Sequence, residues 1–272
     1  NNTYYWVING HSDATFTLGY QGRRGFNPGI EYRYIPNKVT RGSIIASYID
    51  DKITQSTFWK MDAVHEQEFP NEFKFAGILD LESGFGREFS DDSNLRTRRN
   101  TDSHATLTKT WDNNHTLDIL TRYRDSTQDS SDQTFAELPR ITYKIPRSVL
   151  GDSGNRASSN FYFNLDTSFT SFLTDLDSDP DVDDNFTVQR FAFHPQLSYT
   201  MKIAPWLSFT PTLGIRETVY SEGLNATANN KRLDFFTRES FDVSAAFEGP
   251  RIEKIFNLKN KYIPKIKHLI EP

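Results

Sequence analysis

The sequence predicts an all-β chain: an antiparallel meander of about fourteen strands forming part of a transmembrane β-barrel. Three observations carry the prediction. Apolar and polar residues alternate over long segments, aromatic residues gather at the segment ends, and turn-forming clusters separate the segments. Alternation is the strand period, because successive side chains leave a strand on opposite faces.

From the amino terminus, DATFTLGY sets Ala14, Phe16, Leu18 and Tyr20 against Asp13, Thr15, Thr17 and Gly19. GIEYRY around Tyr32, STFWKMDAV around Trp59 and FKFAGILDLES around Phe75 follow with a noisier version, as does HTLDILTRYR with Leu117, Ile119 and Tyr123. The second half is cleaner. NFYFNLDTSFTSFL places Phe161, Phe163, Leu165, Phe169 and Leu173 on one face, and TVQRFAFHPQLSYTM opposes Phe191, Phe193, Leu197 and Tyr199 to Arg190, His194, Gln196 and Ser198. WLSFTPTLGIRETVY and RLDFFTRESFDVSAAF repeat the pattern. Between them lie QGRRG, WDNNH, QDSSD, GDSGNRASS and SEGLNATANN, whose Gly, Asn, Asp and Ser content suits turns.

A soluble β-sandwich also alternates, so segment length is the better discriminator. Soluble strands usually run about 5 to 6 residues, whereas several segments here keep their period about twice as long. Trp6, Trp111, Trp206, Tyr220 and Tyr262 sit near segment ends, where a girdle at a lipid interface places them. Long connections near 84 to 100, 174 to 186 and 221 to 231 are expected on the extracellular side, and short ones at 112 to 114 and 202 to 205 on the periplasmic side. A first strand rising from the periplasm predicts the opposite parity.

Composition fits a barrel wall. Of 272 residues only 36% are hydrophobic, yet 14% are aromatic, including 22 Phe and 12 Tyr. Mean hydropathy is -0.64. No run approaches the roughly 18 apolar residues of a transmembrane helix, but barrel strands need only every second residue apolar. A net charge of -5 offers nucleic acid no basic surface. With no cysteine there is no disulfide or thiolate chemistry within these residues. The start, NNTYYWVING, has neither a basic nor an apolar leader region.

The chemical motifs read as loops. GDSGN at 151–155 resembles a serine-protease nucleophile loop, but no general-base histidine motif precedes it. The six histidines lack metal-ligand spacing. In the acidic run Asp175 to Asn185, Asp175, Asp177 and Asp179 mimic the start of a calcium loop, while Pro180 replaces the turn glycine and Phe186 the bidentate glutamate. Arg96, Arg98, Arg99, Lys254, Lys259 and Lys261 read as solvated charges or as contacts to lipid phosphate. Neither a metal, a cofactor nor a catalytic residue is expected.

Several motifs, in order, resemble the barrel domain of the LPS-assembly protein family of Gram-negative outer membranes (LptD, also called OstA or Imp). They are Tyr4-Tyr5-Trp6, Asp13-Ala14-Thr15, Arg24-Gly25, Glu31-Tyr32-Arg33-Tyr34, Arg98-Arg99-Asn100, Leu138-Pro139, Phe161-Tyr162-Phe163 and the closing Lys267-His268-Leu269-Ile270-Glu271-Pro272. The resemblance implies that residues 1–272 are a single β-barrel domain fragment, the first half of the family's barrel without its periplasmic domain. It implies insertion of lipopolysaccharide into the outer leaflet of the cell outer membrane, with no covalent chemistry. Implied partners are lipopolysaccharide, an LptE-like plug lipoprotein, and an LptA-like periplasmic bridge reached through the missing domain.

Lateral opening beside the first strand would make Tyr4, Tyr5, Trp6, Thr15, Thr17 and Leu18 the gate residues. Many members carry proline just before Tyr-Tyr-Trp and just after Asp-Ala-Thr-x-Thr, where this chain has Thr3 and Leu18. Pro28 is then the proline left to loosen a neighbouring strand. The alternatives are another outer-membrane barrel, a porin or a barrel phospholipase, and a soluble carbohydrate-binding β-sandwich.

Overall fold

The computed structural model describes residues 2–22, 24–53, 55–83, 100–126, 133–150, 160–176, 186–225, 231–250, 252–257 and 265–270. Among them there is no α-helix, only a 3-10 turn at Pro70–Glu72. The strands are β1 (Asn2–Asn9), β2 (Ser12–Gln21), β3 (Gly25–Asn37), β4 (Thr40–Asp51), β5 (Ser56–Glu68), β6 (Phe73–Glu82), β7 (Asn100–Thr110) and β8 (Thr116–Ser126). They continue as β9 (Gln133–Val149), β10 (Phe161–Leu176), β11 (Phe186–Tyr199), β12 (Met201–Ala204), β13 (Leu207–Asn225), β14 (Lys231–Glu248), β15 (Ile252–Asn257) and β16 (Lys265–Ile270).

Fourteen strands form one sheet in which β1 to β11 follow chain order, β11 pairs with β13, and β13 also pairs with β12 and β14. No described pairing joins β1 to β14. Strands β15 and β16 form a separate two-stranded sheet. By contact density the chain divides into two compact units: 1–143 with 167–191 and 219–236, and 144–166 with 192–218 and 237–272.

The register fixes the two faces. Across β1 to β4, Tyr4 opposes Phe16, Phe16 opposes Ile30 and Ile30 opposes Ala46. Across β4 to β8, Ala46 opposes Met61, Met61 opposes Leu81, Phe75 opposes Leu107 and Leu107 opposes Ile119. Because the side-chain period is two, these pairs put one row from each of eight strands on a common, largely apolar face. A sandwich would bury that face, yet Phe16 is 39% exposed, Leu18 50% and Ile30 38%. The opposite face carries ion pairs: Arg33 with Asp13 at 2.8 Å, Lys60 with Asp62 at 2.9 Å, and Arg124 with Asp102 at 3.2 Å.

Asn and Asp close the turns by a recurring device, a side-chain oxygen accepting the N–H two residues on. Asn9 takes that of His11, Asn37 that of Val39, Asp51 that of Ile53 and Asn113 that of His115. Asp51 is fully buried and also accepts from the Arg24 guanidinium at 3.2 Å. Gly25 follows at φ +128, where an added Cβ would come within 2.7 Å of the Asp50 carbonyl oxygen, so the Arg24-Gly25 motif is a turn fastening. Arg24→Ala should cost about 1.5 to 3 kcal/mol, the usual worth of a hydrogen bond to a charged group. Urea unfolding of the full-length protein measures this; an unchanged midpoint would discount the fastening.

Two sequence expectations shift. The short connection expected at 202 to 205 is in fact strand β12 followed by a turn at 205–206. Strands β10 and β13 run further than their sequence pattern, which trims the long connections to 177–185 and 226–230. Strands β6, β8, β10 and β13, which the longer connections follow, all end at the edge of the sheet where β1 begins. Loop length and the course of β1 therefore point to opposite membrane orientations; the main sheet holds the fourteen strands expected, and β15 and β16 are two more.

Candidate functional site

The six residues expected at a lateral gate lie on the paired strands β1 and β2. Tyr4, Trp6 and Leu18 share the apolar face with Phe16, whereas Tyr5, Thr15 and Thr17 share the polar face; Tyr5 opposes Thr15 and Thr3 opposes Thr17. Strand β1 has a single described neighbour, and every one of its residues is exposed.

Backbone parity shows which ladder each residue serves. The Ile35 N–H donates to the His11 carbonyl at 2.7 Å, continuing the register that pairs Ser12 with Tyr34. Hydrogen-bonded and non-hydrogen-bonded pairs alternate along an antiparallel ladder, so odd residues of β2 bond β3 and even residues bond β1. Leu18 thus turns its N–H toward Asn2. A proline at 18 would remove a donor from the β1–β2 ladder, which this chain keeps. By the same parity the N–H groups of Thr3, Tyr5 and Val7 face away from β2, on the edge that has no neighbour among the described residues.

The same reasoning locates the break made by Pro28. Lys52 donates its N–H to the Arg24 carbonyl at 2.8 Å, in the register that pairs Gly29 with Ser47. Even residues of β3 therefore bond β4, and position 28, opposite Tyr48, has no N–H to give. The β3–β4 pairing is interrupted beyond Gly29 and Ser47, and the two segments bond again only at Arg24 and Lys52. Pro28 weakens β3–β4 and leaves β2–β3 intact, because Leu18 and Pro28 form a non-hydrogen-bonded pair.

The polar face is not uniform. Asp102 serves Arg124 at 3.2 Å, Arg122 at 3.4 Å and His104 at 3.5 Å. Beside this cluster Ile45, Val64 and Ile78 are 47%, 41% and 42% exposed, with Val64 directly opposite Ile78. Sequence reasoning missed this apolar patch, since within its own row Ile45 stands between Ser43 and Ser47, and Val64 between Asp62 and Glu66. Only cross-strand register brings the three together.

A second polar cluster gathers around His194. Its Nε2 lies 2.7 Å from Asp242 Oδ2 and 3.0 Å from the Gln196 amide nitrogen, and Arg216 donates to Nδ1 at 3.3 Å. Both nitrogens are engaged, so the ring has no lone pair directed at a serine, as the phospholipase alternative requires. Gly214 makes the cluster possible: an added Cβ would lie 3.0 Å from Gln196 Cγ and 3.3 Å from His194 Nε2.

Among the described residues no group of three His, Cys, Asp or Glu is placed to hold a metal. The GDSGN segment, the acidic run from 177, and Arg96, Arg98, Arg99, Lys259 and Lys261 lie outside the described residues. Lys254 is described, with its Nζ 5.1 Å from the centre of the Phe256 ring.

Comparison with known proteins adds to this geometry. The family model described as LptD, LPS transport system D, matches residues 56–246, a span that begins with β5 and excludes the β1–β2 seam. An LPS-assembly protein LptD of Aliivibrio fischeri (strain ATCC 700601 / ES114) is 24% identical over 234 residues, covering 80% of this chain and 26% of the relative. The chain spans about a quarter of that relative's length. Family members act in LPS transport and assembly at the outer membrane. With most of its length matched by the family model, and with the β-meander that the family's barrel calls for, the chain belongs to the LptD family.

Proposed function

We propose that residues 1–272 are a single barrel-domain fragment, part of the wall through which lipopolysaccharide is inserted into the outer leaflet of the cell outer membrane. The observation that carries this reading is the register-locked division of the sheet into an apolar and an ion-paired face, in a chain of this family. In a bilayer every backbone donor needs an internal partner, which a paired sheet supplies. Its apolar face then meets lipid and its charged face lines the lumen.

Lipopolysaccharide has both chemistries. Its sugars would cross the charged lumen while its acyl chains leave sideways into lipid beside β1. Tyr4, Trp6 and Leu18 would border the lipid side of that exit, and Tyr5, Thr15 and Thr17 the lumenal side. An LptE-like plug lipoprotein inside the lumen would find an apolar footing at Ile45, Val64 and Ile78. An LptA-like bridge would deliver lipopolysaccharide through a periplasmic domain of the full protein. The work is passage of an amphiphile, and no bond is made or broken.

A photoreactive amino acid at Thr15 or Thr17 of the full-length protein should capture lipopolysaccharide in growing cells. The same probe at Asp118, an exposed polar-face position on β8, should capture several-fold less. Equal capture at both places, or none at the seam, would reject the exit.

A further inference from the structure

We propose that the apolar face of β5 to β8 holds one glycerophospholipid, its anionic phosphate at Lys109 and an acyl chain in a cleft further along β7. The proposal rests on the reading of this face as lipid-facing. Two independent features define the site.

The first is the cleft, about 360 Å³ in volume, lined by Ala63, Phe75, Gly77, Leu79, Ala105 and Tyr123 among others. Its floor follows from register: His65 opposes Gly77, Gly77 opposes Ala105, and Ala105 opposes Thr121. Phe75 leans over Gly77, where a Cβ would meet the ring at 3.3 Å. The His65 ring and the Ser103 hydroxyl at its margin are already engaged. Tyr34 holds His65 Nδ1 at 2.6 Å, Gln67 faces Nε2 at 3.3 Å, and the Ser103 hydroxyl donates to the Asp80 carbonyl at 3.1 Å. A polar ligand gains nothing from these groups, and the Ala63, Phe75, Gly77, Leu79 and Ala105 lining suits a hydrocarbon chain.

The second is Lys109, a lysine on the apolar face. It opposes Phe73 and Leu117, and its Nζ lies 4.7 Å from the Phe73 ring centre and 5.0 Å from that of Trp111. Lys74, the neighbour of Phe73, points to the other face and pairs with Glu68 at 3.6 Å. No described carboxylate lies within ion-pair distance of Lys109. A cation between aromatic rings at the end of a lipid-facing strand sits at headgroup level, where a phosphate supplies the missing anion.

The spacing joins the two features. From Lys109 to Ala105 is four residues, ~13 Å along a strand, and a tilt of about 45° turns that into ~9 Å of depth. With the phosphate at Lys109, the cleft falls within the nearer half of a hydrocarbon core about 30 Å thick. Charge complementarity at one end and an apolar slot at acyl depth commit the site to a phospholipid.

The test uses full-length protein in phosphatidylcholine vesicles containing a minor share of phosphatidylglycerol brominated on its acyl chains. A fluorescent amino acid at position 119, beside the cleft, is compared with one at position 30, elsewhere on the apolar face. Quenching at 119 should exceed that at 30 several-fold, and should fall to the same level in Lys109→Glu and in Ala105→Phe, which fills the cleft. Equal quenching at 119 and 30 overturns the proposal, as does enhanced quenching that survives both substitutions. So does displacement by lipopolysaccharide but not by unbrominated phosphatidylglycerol. Quenching at neither position instead overturns the lipid-facing reading on which the site depends.

Discussion

Gly42→Val is expected to lower the unfolding free energy of the full-length protein by about 2 to 4 kcal/mol. Gly42 on β4 stands between Tyr34 on β3 and His65 on β5, directly opposite both. Its bare Cα lets the Tyr34 ring cross β4, so that the hydroxyl meets His65 Nδ1 at 2.6 Å while the ring stacks on Tyr32 at 5.6 Å. An added Cβ would overlap that ring and come within 2.6 Å of the Val64 carbonyl oxygen. The ring can swing away only by giving up the hydrogen bond, worth about 1 kcal/mol. The carbonyl belongs to the β4–β5 ladder and cannot move freely, and overpacking of this kind costs about 1 to 3 kcal/mol. Urea unfolding in vesicles reads the total. In a Tyr34→Leu background the same substitution should cost less, and additive effects would show that the ring does not cross the glycine.

Leu18→Pro and Pro28→Val are expected to act on different ladders. Leu18→Pro withdraws the N–H that faces Asn2, a loss of about 1 kcal/mol or more in a strand with one described neighbour. Amide exchange at Tyr4 and Trp6 should rise by roughly tenfold, the equivalent of about 1.4 kcal/mol, while β3–β4 stays as it was. Pro28→Val supplies the donor missing opposite Tyr48, so the new amide should exchange slowly and the β3–β4 ladder should extend past Gly29, with β1 unchanged. Hydrogen exchange by mass spectrometry separates the two. If Leu18→Pro left β1 protected, or if the amide at 28 exchanged at the rate of an open loop, the parity assignment would be wrong. The pair also distinguishes where the wall yields. Seam capture of lipopolysaccharide should respond to Leu18→Pro if β1–β2 opens, and to Pro28→Val if β3–β4 does.

Leu18 shows how far sequence reading reaches. That it lies on an apolar strand face, and that relatives carry proline there, could be read from alternation and family resemblance. Which ladder its N–H serves could not, because that depends on whether its pair with the next strand is hydrogen-bonded, a fact set by the turn at His11. The apolar patch of Ile45, Val64 and Ile78 was illegible for a related reason: each belongs to a different strand, and only register makes them neighbours. The cleft near Gly77 needed three registers to align.

What the sequence determined by itself is the period. Strict alternation over long segments, turn clusters between them and aromatic residues at their ends specify an antiparallel meander with one apolar face, because side-chain direction in a strand depends only on position along the chain. The tertiary structure decided everything that depends on pairs: which faces align, which carbonyl Pro28 leaves without a donor, why Gly42 must lack a side chain, and where Lys109 stands relative to the cleft. Cross-strand contacts join residues distant in the chain, and a shift of one residue in any ladder would exchange the two faces.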